Sequence, residues 1–420
     1  MFIFQKRFAL VLLLMVAFID ELGIGLVYPM FSSMIFDKAS PFMAHDASDA
    51  VRGSYLGILL ALGPLLQFFS APVLGTLSDT HGRKKVLLSG LSIGIVGYLI
   101  AAAGVYLHSL PVLFISRVLV GISMGTMSVA HAAIADISLS EEKAKHFSWL
   151  SMACGVGFAI GPYVGGKLSD PTLVFGGLDK PFLLGSIMIL CNYLLIRCCF
   201  AETAPTKEKA KISYFSGLTN ITKAASFTGL RAIFLATLVY CFGWSFYWEF
   251  IPATWMSLYA FTPADVGAMY AYGAAFYAGA SAFIVPFVTS RFRVALVMFY
   301  SFFAAAFSIL MMLNISPEEF LVYIPFQQLF LALLFPTAMS IVSNSVADDV
   351  QGETLGILHS IFALAFALSP IVSGPLLGVT LRMPIIIGGI SFVLAGVIFG
   401  IGFRKEIFGV AGKAKAQDGT

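Results

Sequence analysis

The sequence predicts an all-α polytopic membrane protein whose twelve transmembrane helices form two six-helix, pseudo-symmetric bundles. The first supporting observation is composition: of 420 residues, 59% are hydrophobic and 11% are charged, whereas roughly 25% of an ordinary soluble domain is charged. The second is that apolar runs of about 20 residues, the length that crosses a bilayer as a helix, recur from Phe8 almost to Phe403. The third is an internal repeat that relates the two halves of the chain.

The apolar runs give six spans in each half of the chain. The first run follows cations as a signal peptide does, but it has no small-residue cleavage site and continues past Asp20, so we interpret it as a retained first span. The predicted spans of the first half are 8–33, 53–77, 86–107, 111–133, 147–168 and 181–200. Those of the second half are 230–255, 265–288, 294–313, 320–345, 354–378 and 384–403.

The distribution of cations predicts the orientation of the spans. With both termini in the cytoplasm, most of the 25 Lys and Arg residues fall in cytoplasmic segments. The positive-inside rule selects this orientation. We therefore expect a multi-pass protein of the plasma membrane, which in a bacterium is the inner membrane, with both termini cytoplasmic. The outer segments hold Lys38, Arg52, Lys167, Lys180 and Arg382.

A repeated motif supports the division into two bundles. "GPYVGGKL" at 161–168 in the fifth span returns as "SPIVSGPLL" at 369–377 in the eleventh. Six plus six spans related by parallel repeats is typical of transporters. The predicted parts are an N-terminal bundle (1–200), a cytoplasmic linker (201–228), a C-terminal bundle (229–403) and a cytoplasmic tail (404–420). The linker is amphipathic near 214–227, which indicates an interfacial helix.

Four short motifs stand in order on the spans of the first half. "IDELGIGLVYPM" surrounds the acids of span one, "GTLSDTHGRKK" joins spans two and three, "RVLVGISMG" lies in span four, and "GVGFAIGPYVGG" lies in span five. Together they resemble the motifs of the major facilitator superfamily, and within it the twelve-span drug/proton antiporters that include tetracycline exporters. The matching residues are Gly75, Asp79, Gly82, Arg83 and Lys84 in the loop, Arg117 and Gly121 in span four, and Gly157, Gly161, Pro162, Gly165 and Gly166 in span five.

The resemblance implies the major-facilitator fold and transport by alternating access, and its span-five motif implies export. The second half departs from the family pattern. Its "FVTSRFRVAL" keeps Arg291 and Arg293 without the acid and glycines of the loop motif, and span nine contains no acid, unlike the tetracycline exporters. These departures argue against tetracycline as the substrate.

The loop motif between spans two and three has two interpretations. Arg83 and Lys84 could serve only to keep the loop in the cytoplasm. Alternatively, Asp79 could pair with an Arg or with the N-terminus of a neighbouring helix, while Gly75 and Gly82 permit close approach and a tight turn. The loop would then be a conformational latch, which by the resemblance holds the two halves together on the cytoplasmic side.

Ionisable residues within the spans are functional candidates, because an ionised group at the bilayer centre costs about 2.5–3.5 kcal/mol. We expect Asp20 to be the proton-coupling site, since a carboxyl group whose contact with Arg117 forms and breaks could bind and release a proton. A permanent structural ion pair is the alternative. Glu21 points about 100° away from Asp20 and is a second proton site, a substrate contact or an interhelical hydrogen-bonding group. The remaining candidates are His131, Glu249 and His359, and single histidines are more often structural.

Aromatic residues of span seven predict a substrate cavity. In "YCFGWSFYWEF", helical spacing places four aromatic residues on one side of the span. They could stack on a planar or cationic ligand, or they could be ordinary packing. Glu249 could supply a counter-charge, and Gln327 and Gln328 of span ten could add hydrogen bonds. The aromatic residues are Tyr240, Trp244, Tyr247 and Trp248.

These features together predict a proton-coupled antiporter that exports a small, amphipathic organic molecule. The alternative within transport is a proton symporter that imports a nutrient, siderophore or amino-acid-like solute. No catalytic cluster, metal-ligand spacing or nucleotide-binding motif is visible in the sequence, and the net charge of +3 does not suggest nucleic acid. We therefore expect no enzymatic activity, no cofactor other than the proton gradient, no metal, and partners limited to substrate, protons and lipid. We expect the protein to function as a monomer.

Overall fold

The computed structural model describes residues 2–139, 142–203 and 216–408, and all regular secondary structure in these ranges is helical. In the first half the helices are α1 (Phe2–Phe36), α2 (Asp49–His81), α3 (Arg83–Tyr106), α4 (Leu110–Met124), α5 (Thr126–Ile137), α6 (Lys143–Leu168) and α7 (Lys180–Cys199). In the linker lies α8 (Ser216–Ala224). The second half contains α9 (Arg231–Tyr259), α10 (Pro263–Gly279), α11 (Val285–Arg291), α12 (Val294–Met311), α13 (Phe320–Asn344), α14 (Asp348–Ser373), α15 (Met383–Gly402) and α16 (Arg404–Phe408).

Twelve helical stretches in the described residues are long and apolar enough to cross a membrane, which confirms the predicted number. Spans four and eight each combine two helices, α4 with α5 and α10 with α11; the other spans are single helices. Several spans extend beyond their predicted ends. Span two, predicted as 53–77, runs over Asp49–His81 because the Ser48 side chain caps its first turn by accepting from the backbone N–H of Val51.

Two interruptions within spans were absent from the prediction. Span four breaks at Gly125, where a Cβ would lie 3.0 Å from the backbone nitrogen of Ala71 in span two. Span eight contains a π-helical segment, Ala280–Ile284, immediately before the turn that holds Pro286. Proline lacks a backbone N–H, and a π turn shifts the hydrogen-bond pairing around that gap.

The halves meet by direct backbone contact at one face of the molecule. We call the face where α1 begins and α15 ends the terminal face, and the opposite one the distal face. At the distal face a Cβ on Gly57 of span two would lie 3.0 Å from the carbonyl carbon of Pro370 in span eleven. A Cβ on Gly166 of span five would lie 3.0 Å from Cα of Ala264 in span eight. We call these two contacts the distal seam.

Two large apolar clusters fill the interior, one mainly from each half. Phe246 and Phe250 of span seven belong to the cluster of the first half, whereas Tyr240 and Tyr247 of the same helix belong to that of the second half. Span seven therefore contributes one face to each bundle and forms part of their boundary.

The linker contains a helix, as predicted, and this helix ends at Ala224, three residues before the predicted end at 227. The described part begins at Ser216 and ends at Ala224, after which a 3₁₀ turn, Thr228–Leu230, leads into span seven. Positions 214 and 215 lie outside the described residues. In the predicted tail, α16 (Arg404–Phe408) extends the chain beyond span twelve.

We expect Gly57→Ala to weaken the distal seam. The added methyl group meets the backbone of span eleven, and overpacking of this kind costs about 1–3 kcal/mol, more than the helix propensity gained on replacing Gly with Ala. In a cysteine-free background with Ala50→Cys as reporter, a membrane-impermeant maleimide should react about tenfold faster after this change. The matched control is Gly155→Ala, because nothing lies within 4 Å of a Cβ at Gly155. Equal reaction rates in the two variants would contradict a tightly packed seam.

Candidate functional site

A buried polar cluster lies where spans one, four and seven meet at the boundary between the halves. Glu249 of span seven is completely buried, and Tyr28 of span one and Arg117 of span four lie within its electrostatic range. Ser245 donates a 3.3 Å hydrogen bond to Oε1 of Glu249, whereas Oε2 accepts none. We call Tyr28, Arg117 and Glu249 the central polar cluster. It joins side chains from both halves in a region where an incompletely bonded carboxyl group is costly.

Arg117 is held by backbone and aromatic groups instead of by an acid. Its side chain is buried, Nε donates to the carbonyl oxygen of Leu59 at 3.1 Å, and the guanidinium lies 5.2 Å from the ring centroid of Phe31. Arg117 makes no ion pair with any residue in the described part of the chain. Its charge is thus buried without a direct counter-ion, an arrangement that favours binding to an acid that comes within reach.

Asp20 and Glu21 lie on span one and are partly buried. Both carboxyl groups lie within electrostatic range of Tyr98 in span three and Cys154 in span five. Neither forms an ion pair with Arg117 in the conformation that the described residues adopt. The sequence predicts that Asp20 contacts Arg117 in at least one conformation. In the present conformation the acid within electrostatic range of Arg117 is Glu249.

The aromatic residues of span seven divide between two environments. Trp244 and Trp248 stack with ring centroids 5.2 Å apart, and Trp248 also stacks on Phe158 of span five at 6.0 Å. Both tryptophans are only partly buried, and Trp248 makes the contact with the first half. Tyr240 is buried inside the second bundle, 5.5 Å from Phe302. A ligand that reaches the open parts of these rings would meet the two tryptophans and not Tyr240.

Tyr247 and the two glutamines line a small cleft together with Trp248 and Trp255, whereas Trp244 lies outside it. Tyr247 donates to Oε1 of Gln327 at 3.3 Å, while Nε2 of Gln327 has no hydrogen-bond partner. Gln328 lies against Gly273 of span eight. The cleft has a volume of only about 10 Å³, about what one water molecule needs and far below the roughly 300 Å³ of the smallest usual ligand pockets. In this conformation it is therefore closed to a ligand, and substrate could enter only after spans seven, eight and ten separate.

The span-five motif forms a packing face. Gly157, Gly161 and Gly165 recur every four residues, and each presents its missing side chain to the backbone of span one between Phe18 and Leu26. A Cβ on Gly161, for example, would lie 2.6 Å from the carbonyl oxygen of Leu22. Gly166 faces span eight, as does the carbonyl of Pro162, which packs on Gly267. The motif thus binds span one on one side and the second half on the other.

The loop motif forms an ion-pair cluster at the terminal face. Arg83 pairs with Asp79 at 2.8 Å and with Asp136 of span four at 2.9 Å. Its Nη1 also donates to Oγ of Ser78 at 2.6 Å. Lys84 is half-buried. A Cβ built on Gly75 would lie 3.5 Å from Oγ of Ser128 in span four. We call Asp79, Arg83 and Asp136 the loop cluster; all three residues belong to the first half.

Glu202, just after span six, completes the loop cluster by capping span three. Its carboxylate accepts hydrogen bonds from the backbone N–H groups of Arg83 at 2.7 Å and Lys84 at 3.1 Å. A carboxylate in this position interacts favourably with the helix dipole. Gly82 turns the chain between the two spans at φ +91°, and a Cβ there would lie 2.5 Å from Oε2 of Glu202. Glycine is therefore required twice over, by backbone conformation and by space.

Sequence reasoning missed several of these residues. Asp136 and Glu202 stand at the ends of spans four and six, where a sequence-local motif does not include them. Tyr98 was not among the candidates. Tyr28 was not proposed as a site residue either, although its helical spacing places it on the same face of span one as Glu21. No group of three or more His, Cys, Asp or Glu residues that could hold a metal occurs in the described residues.

Comparison with known proteins gives a consistent result. Residues 13–226 and 233–418 match the family model described as Major Facilitator Superfamily. The chain is 29% identical to the class C tetracycline resistance protein of Escherichia coli, over 87% of this chain and 88% of that protein. It is 27% identical to the quinolone resistance protein NorA of Staphylococcus aureus, over 91% of this chain and 92% of that protein.

Solved structures share the fold. A bacterial homolog of the human lysosomal transporter Spinster, in an inward-facing and unoccupied conformation, superposes with a TM-score of 0.72. The alignment covers 96% of this chain and 97% of that one at 14% identity. At this identity the likeness concerns the fold alone.

We expect Arg83→Ala to destabilise the loop cluster. The change leaves Asp79 and Asp136 without their shared cation; because both carboxylates are partly exposed, the expected loss is about 1–3 kcal/mol. The apparent unfolding temperature of the purified protein in detergent should fall. Lys85→Ala is the control, since this exposed neighbour should change stability by less than about 0.5 kcal/mol. A similar temperature for both variants would show that charge alone, and not the paired geometry, matters here.

Proposed function

The chain belongs to the Major Facilitator Superfamily, and we propose that it is a proton-coupled antiporter that exports a small, amphipathic organic molecule by alternating access. It is a transporter and not an enzyme. The observation that carries the proposal is the central polar cluster, which brings a buried Glu249 and a buried Arg117 from opposite halves into one region. Relative motion of the halves changes the distance between these charges, and this links proton binding to conformation.

The proposed orientation places the terminal face in the cytoplasm of a bacterial cell, as the positive-inside rule favours. The distal seam then closes the outer side, and the structure corresponds to an inward-facing state. The tryptophans at the boundary between the halves would be reached from the cytoplasm. Both bundles that bound the path come from one chain, which supports function as a monomer.

The proton step rests on the acids of spans one and seven. Asp20 and Glu21 lie apart from Arg117 here, and Glu249 carries an oxygen with no hydrogen-bond donor. We propose that Asp20 carries the transported proton and that Arg117 exchanges between Glu249 and the acids of span one as the halves move. A proton crossing with the membrane potential supplies about 2.3 kcal/mol per 100 mV. No cofactor other than the proton gradient is needed for this cycle.

The substrate class follows from the surface that the halves present to each other. Trp244 and Trp248 offer a partly open aromatic face, and Gln327 offers an unpaired amide nitrogen in the adjacent cleft. Such a surface suits an organic molecule with a planar apolar part and a polar group. The names of the relatives, which refer to tetracycline and quinolone resistance, support export of drug-like molecules.

We expect Asp20→Asn to abolish uphill transport driven by a pH gradient while leaving downhill exchange of substrate. The amide keeps the size and hydrogen bonding of the carboxyl group but cannot titrate. The measurement is accumulation of solutes in proteoliposomes and everted vesicles, from a library chosen for planar amphipathic compounds. Accumulation in everted vesicles supports export, whereas uptake with the proton would support the symporter alternative.

Two further variants act as controls on the proton site. Glu21→Gln should be milder than Asp20→Asn, and Arg117→Ala should be severe because it removes the only cation of the central polar cluster. Undiminished gradient-driven transport by well-folded Asp20→Asn protein would transfer the role to Glu21 or Glu249.

We expect Trp244→Ala to weaken substrate binding more than Trp255→Ala. Trp244 is partly open and stacks on Trp248, whereas Trp255 is buried among Phe261, Tyr270 and Phe320 and only its buried edge lines the small cleft. Loss of one aromatic stacking contact should weaken binding about tenfold, since such contacts contribute about 0.5–1.5 kcal/mol beyond the area they bury. Equilibrium binding of a transported solute to each purified variant provides the measurement. Equal losses in both variants would assign Trp244 to packing.

A further inference from the structure

The linker helix α8 lies between spans two and eleven on the terminal side of the distal seam. The two spans run antiparallel and touch at the level of Gly57 and Pro370. Following both helices towards the terminal face by about 16 Å, at 1.5 Å per residue, leads to Phe68 on span two and to His359 and Ser360 on span eleven. At that level each span contacts α8.

Three contacts position α8 in this cleft. A Cβ on Gly217 would lie 2.7 and 3.0 Å from two ring carbons of Phe68, so the helix backbone rests directly on that ring. Nδ2 of Asn220 donates to Oγ of Ser360 at 3.2 Å. One turn later Lys223 pairs with Glu353 at 2.5 Å, near the terminal-face end of span eleven. The first turn of α8 therefore reaches deeper between the spans than its last turn.

The exposure of the side chains agrees with this placement. Gly217 is buried, and Asn220, Ile221 and Ala224 are partly buried. Their spacing of three, four and seven residues puts them on one face of the helix. Leu218 and Thr222, which point elsewhere, are exposed. The buried face of α8 is thus satisfied by the two spans.

The C-terminal end of α8 is attached to the second half. Nε of Arg231, the first residue of span seven, donates to the carbonyl oxygen of Ala225 at 2.7 Å. Phe227 packs against the apolar cluster of the second half. On the side of the first half, Gly217 packs on Phe68 of span two. The helix α8 is therefore attached to the second half and packs against the first.

We propose that α8 is a wedge that holds spans two and eleven apart at the terminal face and must leave the cleft before that face can close. The inference rests on alternating access but not on the identity of the substrate or the direction of transport. Packed helices approach to axial distances of about 8–10 Å, and a helix with side chains is itself about 10 Å wide. Spans two and eleven cannot come into contact at the level of Phe68 while α8 remains between them.

The contacts that hold the wedge are suited to release. The Lys223–Glu353 ion pair is substantially exposed on both sides, and pairs of this kind are weak in water. The Asn220–Ser360 hydrogen bond joins two neutral groups that water can satisfy once the cleft opens. Withdrawal of α8 thus leaves no buried charge behind.

The first test measures the two conformations by electron–electron double resonance in liposomes. Spin labels at Lys85→Cys in the first half and Arg404→Cys in the second, both exposed, are placed in a background from which the five native cysteines have been removed. We expect Asn220→Ala with Lys223→Ala to raise the short-distance, terminal-closed population about three- to tenfold. Thr222→Ala, on the exposed face of the same helix, should leave the distribution unchanged.

The second test locks the wedge in place and does not depend on how a variant folds. Asn220→Cys and Ser360→Cys are joined by a short bis-methanethiosulfonate cross-linker, which a reductant removes. The cross-linked protein should lose the terminal-closed population, and reduction should restore it, whereas each single cysteine treated alike should show no loss. A terminal-closed population of equal size in cross-linked and reduced protein would overturn the proposal. It would show that α8 moves together with the second half and does not block closure. Because no solute is present, a failure here is distinct from a failure of the proposed antiport.

Discussion

Direct contact between helix backbones is the constraint on which the rest of this structure depends. Lipid chains are as apolar as leucine, so helices in a bilayer gain little from the hydrophobic effect and associate through close packing. Here that packing relies on glycines: three on span five face span one, and Gly57 and Gly166 form the distal seam. Bulkier residues at these positions would separate the helices and remove the close contact between the halves. The distance between the charges of spans four and seven, which belong to opposite halves, depends on this seam.

The presence of two halves that can change their relative arrangement also explains why the interior tolerates charged groups without a full set of partners. Arg117 is bound to a carbonyl and an aromatic ring, and Glu249 has one oxygen without a donor. In a rigid protein such groups are a net loss of stability. In a protein with two arrangements of its halves, they keep the free energies of those arrangements close, because neither one satisfies every charge. Closely balanced states are what a carrier needs in order to move between them.

The sequence predicted the parts of the fold that depend on composition and spacing. The number of spans follows from hydropathy, and the close contacts of the span-five glycines follow from their recurrence every four residues. The partner of Arg117 did not follow, because it depends on how spans one, four and seven are rotated relative to each other, which is set by packing. Helical spacing also grouped Tyr240 with Trp244 and Trp248, and all three do pack against the apolar cluster of the second half. That Tyr240 is buried while the tryptophans are partly open could not be predicted, because it depends on how spans nine and twelve pack on span seven. Glu202 was missed because its role requires the end of span six to lie beside the start of span three.

The loop cluster has a consequence for the order in which the protein is made. Its charged partners, together with the cap that Glu202 provides, lie between Ser78 and Glu202. Every one of these groups has been synthesised before the ribosome reaches α8. The first bundle can therefore close its own polar contacts while the second is still being translated, in keeping with the tendency of domains to fold in sequence as they emerge. The distal seam and the packing of α8 against span eleven can form only afterwards. By then the first bundle is already folded in the bilayer, and the second bundle packs against it.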